Sequence, residues 1–505
     1  MTDDAGLVSA DPAAPASDAA PNLGRRAARG GFAVLLGQGA RIVIQIVSVA
    51  VLARLLSPND YGLVAIVLAI VGVGEIFRDF GLSTAAVQAT VVTDRQRDKL
   101  FWVNTAIGAV LTVATFAAAP LIAELFNHSA LTPITQGLAF TFLLNGMTAQ
   151  YEADLNRSLR FAAMVTVSVG SQALGTVAAI VLAASGAGYW SLVVQQLVAA
   201  MITLAAFAVL TRWIPRWPRR DADIGSFVRF GVGLVATQII GYLDTNVDTM
   251  TIAVRMSPVQ LGYYNRGYQL LMRTLGQLRA PTTSVALPVL RVIRDDEARL
   301  ADFLLRGQRA LGYSLVAGVA IAAGAAEPMV QVFLGHRWAS VAPVFAWLAV
   351  AGVFQTVSYI AYWMYLARGL TAQLAGVSVI SLSLKIVCVL VGSQWGITGV
   401  AAGFAIAPAL AAPISMWRLA RLTSFPARRL YAGASWILLA AAVAGTAAFG
   451  TTRLMSAAPP VLELAVSVLA GAASYGVLAA VLPPVRADLR DVLRIVRGAV
   501  RRRAS

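Results

Sequence analysis

One cysteine, two histidines and two lysines are all that a chain of 505 residues offers for cross-linking, metal chelation or nucleotide handling. Cys388 sits inside an apolar run, and His128 and His336 fall in two separate stretches between such runs, which excludes disulfides and a His/Cys metal centre. Lys99 precedes Leu100 and Lys385 precedes Ile386, so there is no Gly-x-x-x-x-Gly-Lys-Ser/Thr phosphate loop and no nucleotide engine. No metal, cofactor or redox group is expected. Charge is also scarce: 13% of residues are charged and 58% hydrophobic, too little polarity to cover a soluble surface. Residues 1–24 lack both an apolar run and a basic n-region, so they read as neither signal peptide nor span but as a disordered tail. The connections expected at the outer face are short and offer no platform for catalytic groups, so an enzyme is not expected.

What is abundant is apolar sequence, over the whole length. A membrane-crossing helix needs ~20 apolar residues. Fourteen candidate spans are legible, near 32–55, 60–78, 100–126, 133–151, 162–184, 188–212, 227–254, 258–282, 303–326, 340–366, 371–392, 395–417, 430–450 and 461–482. The expected fold class is all-α, a polytopic membrane protein of about 14 transmembrane helices. Its net charge of +16 would suit a nucleic-acid binder, but the positions of the 40 Lys and Arg residues argue otherwise. With the N-terminus in the cytoplasm, most fall on cytoplasmic segments, and only Arg54, Arg255, Arg337 and Arg453 on outer ones. The clusters at 212–220 and 501–503 therefore read as topology and lipid-headgroup anchors, both termini face the cytoplasm, and no nucleic-acid partner is expected.

The chain repeats itself at an offset of 200. Ala53, Ser57, Pro58 and Gly62 align with Ala253, Ser257, Pro258 and Gly262, and Arg29, Gly31, Gln38 and Val47 align with Arg229, Gly231, Gln238 and Val247. Spans 1 and 7 open the matching units, so each unit holds an even six spans and the two lobes must share one orientation, an arrangement found in transporters with a site between the lobes. The Ser-Pro pair suits a tight outer hairpin: serine caps the next helix and proline takes its first position. It reads as a structural turn without substrate contact. The expected organisation is a tail at 1–30, an N-lobe at 31–220 (spans 1–6), a C-lobe at 221–425 (spans 7–12), spans 13–14 at 426–485, and a basic cytoplasmic tail at 486–505.

Polar side chains inside spans are costly in hydrocarbon and face a partner or a wet cavity. Span 1 carries Gln38, Arg41, Gln45 and Ser48 on one helical face. Span 7 repeats that face with Gln238, Thr245 and Asp248 and adds Asp244; span 8 carries Arg266, Gln269, Arg273 and Gln277. At ~1.5 Å per residue, Arg266 and Arg273 lie roughly 12 Å and 22 Å from the outer end, and Arg41 roughly 14 Å from the cytoplasmic side. Two readings stand. In the preferred one, Arg41, Arg266 and Arg273 line a cationic cavity for an anionic group, with Gln45, Gln269, Asp244 and Asp248 around it. In the other, the arginines pair with Asp244 or Asp248 to lock helices together, although that would leave basic groups over. Lys385 in span 11 is a further cavity candidate or a carbonyl-bound lysine. Tyr359 and Tyr362 share a face with Gln355 and Ser358 that suits either sugar rings or helix packing. Glu75, Arg78 and Asp79, where span 2 meets the cytoplasm, read as an interfacial ion-pair cluster and possible gate.

The stretches Val51–Ala65, Phe77–Ala85 and Phe101–Asn104, with Asp248-Thr249-Met250 and Gly262–Arg266, resemble the Wzx-type polysaccharide exporters, in the branch of the colanic-acid and teichuronic-acid exporters. These belong to the multidrug/oligosaccharidyl-lipid/polysaccharide exporter superfamily. The resemblance covers about residues 30–425. It implies two six-helix lobes around a central cavity plus two further helices, in the bacterial plasma (inner) membrane. The implied task is flipping undecaprenyl-pyrophosphate-linked oligosaccharide by alternating access without ATP, for surface polysaccharide biosynthesis. The implied partners are the lipid-linked oligosaccharide, membrane lipid, an H⁺ or Na⁺ counter-ion, and polymerase and glycosyltransferase components of the assembly machinery. Two alternatives stay open: a drug or organic-cation antiporter of the same superfamily, which needs a mainly acidic cavity, and a non-transporting component or enzyme of polysaccharide assembly.

Overall fold

The computed structural model describes residues 20–79, 92–218, 225–423 and 426–504. All regular structure among them is helical. Residues 1–19 of the expected tail, positions 80–85 of the family signature, and Arg219 and Arg220 lie outside the described residues.

Helices α1 (Ala20–Leu55), α2 (Pro58–Asp79), α3 (Asp94–Leu125), α4 (Leu131–Arg157), α5 (Phe161–Ala184) and α6 (Trp190–Thr211) build the N-lobe. In the C-lobe, α7 (Gly225–Arg255) precedes α8 (Pro258–Tyr268), which passes through a π turn (Gln269–Arg273) into α9 (Thr274–Ile293). A second π turn (Gly312–Val316) joins α10 (Glu297–Leu311) to α11 (Ala317–Gly324). The short α12 (Ala326–Phe333) bends away by 85°, and a 3-10 turn (His336–Trp338) leads to α13 (Val341–Ala367), α14 (Thr371–Gly392) and α15 (Gly396–Leu422). Outside the repeat stand α16 (Ala427–Leu454), α17 (Pro460–Val481) and α18 (Pro483–Ala504). Among the described residues, helix is present from Ala20 onward and through 486–504.

Among the described residues, nine segments are long and apolar enough to cross a membrane, ten with the bent pair at Glu297–Phe333. One of the nine, Thr371–Leu422, contains both α14 and α15. The expected count of fourteen is not established by this measure: α4 and α7 are not among the segments that meet it, α8 is 11 residues long, and the stretch 258–293 carries Arg266, Arg273, Arg279 and Arg291. Exposed Val110, Val113, Leu121, Val177 and Val181 face outward, as lipid-facing positions should.

Both Ser-Pro pairs start helices as their chemistry requires. Ser57 Oγ accepts from the Asp60 backbone N–H at 3.2 Å while Asp60 Oδ2 accepts from the Ser57 N–H at 3.0 Å. Ser257 and Gln260 form the same reciprocal box ahead of α8. The two hairpins also pack on each other: a methyl group on Gly62 would overlap the Pro258 carbonyl, and one on Gly262 would overlap the Pro58 carbonyl. Only glycine allows that backbone approach. Residues 58–62 and 258–262 therefore occupy one end of the molecule, and the lobes are parallel in orientation. Trp338 completes the closure there. It is buried between Tyr61 and Tyr263, at centroid distances of 5.6 and 5.9 Å, and its Nε1 donates to the Ala53 carbonyl at 2.7 Å.

Candidate functional site

Three of the chambers lined by described residues hold most of the expected site residues. The first, about 350 Å³, runs between the lobes beneath the Ser-Pro closure. The C-lobe contributes Asn265, Arg266, Gln269 and Arg273; the N-lobe contributes Gln45, Ser48, Tyr61, Gln172, Gln195 and Gln196. Among the described residues no carboxylate lines it, and its two charged side chains are both positive. The Arg266 guanidinium lies 3.7 Å from the centroid of the Tyr61 ring and donates to Asn265 Oδ1 at 3.2 Å, while its Nε is buried without a partner. Cation–π contact in a desolvated setting is worth about 2 kcal/mol. That offsets part of the cost of a cation that, among the described residues, has no ion pair. Arg273 is exposed to the chamber.

Gln45 ties the lobes together beside these arginines. Its Nε2 donates to the Gln269 carbonyl at 3.1 Å, within the π turn, and its Oε1 accepts from Gln277 Nε2 at 2.7 Å. A π turn displaces backbone carbonyls from their usual helical partners, and here one is taken by a side chain of the other lobe. Tyr242 makes a second crossing, its hydroxyl donating to the Ala69 carbonyl at 2.6 Å.

The second chamber, about 710 Å³, belongs to the N-lobe, and Leu68, Gln196 and Ala199 line both it and the first. Its charged lining is Glu75, Arg78, Asp79 and Glu152. Glu75 pairs with Arg78 and accepts from Asn145 Nδ2 at 2.8 Å. The third, about 880 Å³, belongs to the C-lobe and holds Asp244, Lys385, Arg279, Gln355, Tyr359 and Tyr362. Lys385 Nζ pairs with Asp244 Oδ1 at 2.7 Å and also donates to the Asp244 carbonyl at 2.6 Å. Tyr359 and Tyr362 stack at 5.6 Å and 29°.

A family model described as polysaccharide biosynthesis protein matches residues 51–343. The chain belongs to this family. Among its relatives, the chain is 25% identical over 373 residues to the lipopolysaccharide biosynthesis protein WzxC of Escherichia coli, covering 72% of this chain and 74% of that one. It is 25% identical over 447 residues to the teichuronic acid biosynthesis protein TuaB of Bacillus subtilis, covering 86% and 91%. Its fold is that of the lipid II flippase MurJ in an inward closed conformation, with a TM-score of 0.69 at 13% identity over 90% of this chain and 98% of that one. An inward-facing multidrug MATE transporter gives 0.58 at 14% identity, over 75% and 95%. The expected resemblance to Wzx-type exporters is thereby borne out.

The structure distributes the expected site residues unequally. It brings Arg266, Gln269, Arg273 and Gln45 together in the inter-lobe chamber. Arg41, one turn from Gln45 on α1, is half-buried with its Nε unpartnered and does not line that chamber. Among the described residues neither aspartate pairs with an arginine: Asp244 meets Lys385, and Asp248 is fully buried, accepting from the Tyr264 hydroxyl with its Oδ1 unpartnered. Glu75, Arg78 and Asp79 line the N-lobe chamber, and the partner that Glu75 and Arg78 share, Asn145, is in their own lobe.

Sequence reasoning missed Tyr61, Gln195, Gln196 and Glu152, whose spans show no obvious polar stripe, and it missed Arg279. Arg279 lies six residues beyond Arg273, past the π turn, which at 3.6 residues per turn is roughly 240° round the helix. One continuous polar helix therefore serves two chambers from opposite sides.

Proposed function

We propose that the protein flips a lipid-linked oligosaccharide, carried on undecaprenyl pyrophosphate, across the bacterial inner membrane for surface polysaccharide synthesis, by alternating access without ATP. The observation that carries this reading is the pair Arg266 and Arg273 in a chamber between the lobes whose described lining holds no carboxylate. Guanidinium groups supply paired donors to phosphate oxygens, and burial away from neutralising carboxylates keeps them available. The amide-rich N-lobe wall suits the hydroxyl groups of a sugar, while the polyprenyl tail remains in lipid. Ser57 and Ser257 mark the outer face, both termini the cytoplasmic face. Outward passage of an anion is favoured by an inside-negative potential, at ~2.3 kcal/mol per charge per 100 mV.

The acidic N-lobe chamber favours a second reading, a cation antiporter, in which Glu75, Asp79 and Glu152 would hold the substrate. Cells lacking the protein distinguish the two. Lipid-linked oligosaccharide accumulates on the cytoplasmic leaflet under the flippase reading, and wild type relieves it while Arg266→Ala and Arg273→Ala do not. A deletion strain with no accumulation, an intact surface glycan and no redundant exporter would move the antiporter to the front.

A further inference from the structure

A further pocket, about 610 Å³, lies at the end of the C-lobe far from the Ser-Pro closure. The end of α9 and the link after it supply Leu287, Arg291, Arg294 and Asp295, and the end of α13 supplies Leu366 and Arg368. Its depth follows from helix length. At ~1.5 Å per residue, Arg291 stands roughly 50 Å along the chain of helix from Pro258, and Arg368 roughly 40 Å from Val341, which follows the closing Trp338. Both distances exceed the ~30 Å hydrocarbon core. In the orientation proposed above, the pocket therefore sits at the headgroup level of the cytoplasmic leaflet.

Its charges do not cancel. Asp295, the one carboxylate among the described lining residues, pairs with Arg294 Nε at 3.4 Å. Arg291 and Arg368 have no ion pair or side-chain hydrogen bond among the described residues, and Arg368 Nε is buried without a partner. An arginine at a helix C-terminus ordinarily serves the last carbonyls. At α13 the backbone fills that role: Gly369, at φ +68°, gives its N–H to the Leu366 carbonyl at 3.1 Å, and Leu370 gives its own to Tyr365 at 2.9 Å. Membrane topology asks for cytoplasmic arginines, but not for two of them, from separate helices, in one cavity.

Lipid reaches this place along α9. Val285, Val289 and Val292 recur at steps of four and three, so they share one helical face, and they are 67%, 39% and 84% exposed. That apolar stripe ends beside Arg291, and Leu287 and Leu366 give the pocket an apolar wall. A ligand with an anionic phosphate at headgroup depth and an apolar body behind it meets both features. We propose that the pocket binds an anionic lipid phosphate of the cytoplasmic leaflet, with Arg291 and Arg368 as its ligands. Two sources share that chemistry, the pyrophosphate of a polyprenyl carrier and the phosphodiester of a bulk anionic phospholipid. The site is separate from Arg266 and Arg273, and it takes from the flippase reading only the orientation.

The test is native mass spectrometry of the purified full chain, titrated in turn with phosphatidylglycerol, undecaprenyl pyrophosphate, zwitterionic phosphatidylcholine and inorganic pyrophosphate. One or both anionic lipids should bind at least about tenfold more tightly than phosphatidylcholine, the ratio expected for one charge-assisted pairing. Arg291→Gln/Arg368→Gln should remove that preference. Arg428→Gln/Arg429→Gln, which takes the same charge from exposed positions at the start of α16, should preserve it. Loss confined to undecaprenyl pyrophosphate supports the site as a loading station, and loss confined to phosphatidylglycerol supports it as a seat for a resident lipid. Wild type decides if the pocket variant fails to fold: an anionic lipid with a photoreactive headgroup should cross-link within 287–295 or 366–369. A preference unchanged in the folded pocket variant, or lost equally in the Arg428/Arg429 control, would overturn the proposal. So would pocket-dependent binding of inorganic pyrophosphate tighter than that of either lipid, or cross-links wholly outside those segments. Accumulation in the deletion strain with a pocket-independent lipid preference removes the pocket and leaves the flippase. Absence of accumulation with a pocket-dependent preference removes the flippase and leaves the lipid site.

Discussion

At the residue scale, the decisive facts are the choices of partner. Asp244 joins Lys385 across 141 positions of sequence, and that choice leaves Arg266 and Arg273 uncompensated. The pair is also asymmetric: the Lys385 side chain is 9% exposed and that of Asp244 45%. Removing the carboxylate strands a buried ammonium, whereas removing the lysine leaves a carboxylate already half in contact with the chamber. Asp244→Asn is therefore expected to destabilise by about 2 kcal/mol, Lys385→Met by less, and Asp244→Asn/Lys385→Met to recover most of the loss. Thermal unfolding of the purified variants checks this, and additive losses would contradict it. The depth of the arginines was legible because each polar residue stands out in an apolar run. Their pairing was not, since it depends on how α7 meets α14, which no local spacing encodes. Arg279 escaped notice because a single polar face was sought on a helix that has two.

At the element scale, the Ser-Pro hairpins do more than turn the chain. Their capping chemistry was legible from serine and proline alone, but their mutual packing was not, because it is contact between two segments that only the assembled lobes bring together. Gly62 and Gly262 admit the opposing carbonyls, and Trp338 fills the space beside them. Gly62→Val is expected to loosen this closure. In a Cys388→Ala background with Ser48→Cys as a reporter in the inter-lobe chamber, a membrane-impermeant maleimide added outside should react about tenfold faster when Gly62→Val is present, the effect of about 1.4 kcal/mol lost from the closed state. Unchanged labelling would show that the hairpin contact does not hold the chamber shut. Helix α18 was read as a basic tail on its arginine content, although Val485, Leu489 and Val492 fall on one helical face. Val485 is fully buried, and Arg309 on α10 holds Asp488 at 2.8 Å and Asp491 at 2.7 Å.

At the scale of the whole molecule, the offset of 200 residues carried the architecture: two matching units of even span number require parallel lobes, and the two hairpins do meet at one end. What the repeat could not convey is the difference between the halves. Among the described residues, one chamber is acidic and belongs to the N-lobe, another is aromatic with Arg279 and belongs to the C-lobe, and the basic space between the lobes shares a wall with the first. Reconstitution tests the central claim most directly. The purified protein is placed in liposomes carrying fluorescent undecaprenyl-pyrophosphate oligosaccharide in one leaflet, and appearance of the label in the other is followed with a membrane-impermeant quencher. The account predicts transfer well above that of protein-free liposomes for wild type and a return to that background for Arg266→Ala/Arg273→Ala. Wild-type transfer no faster than background, or a double variant as fast as wild type, would contradict it.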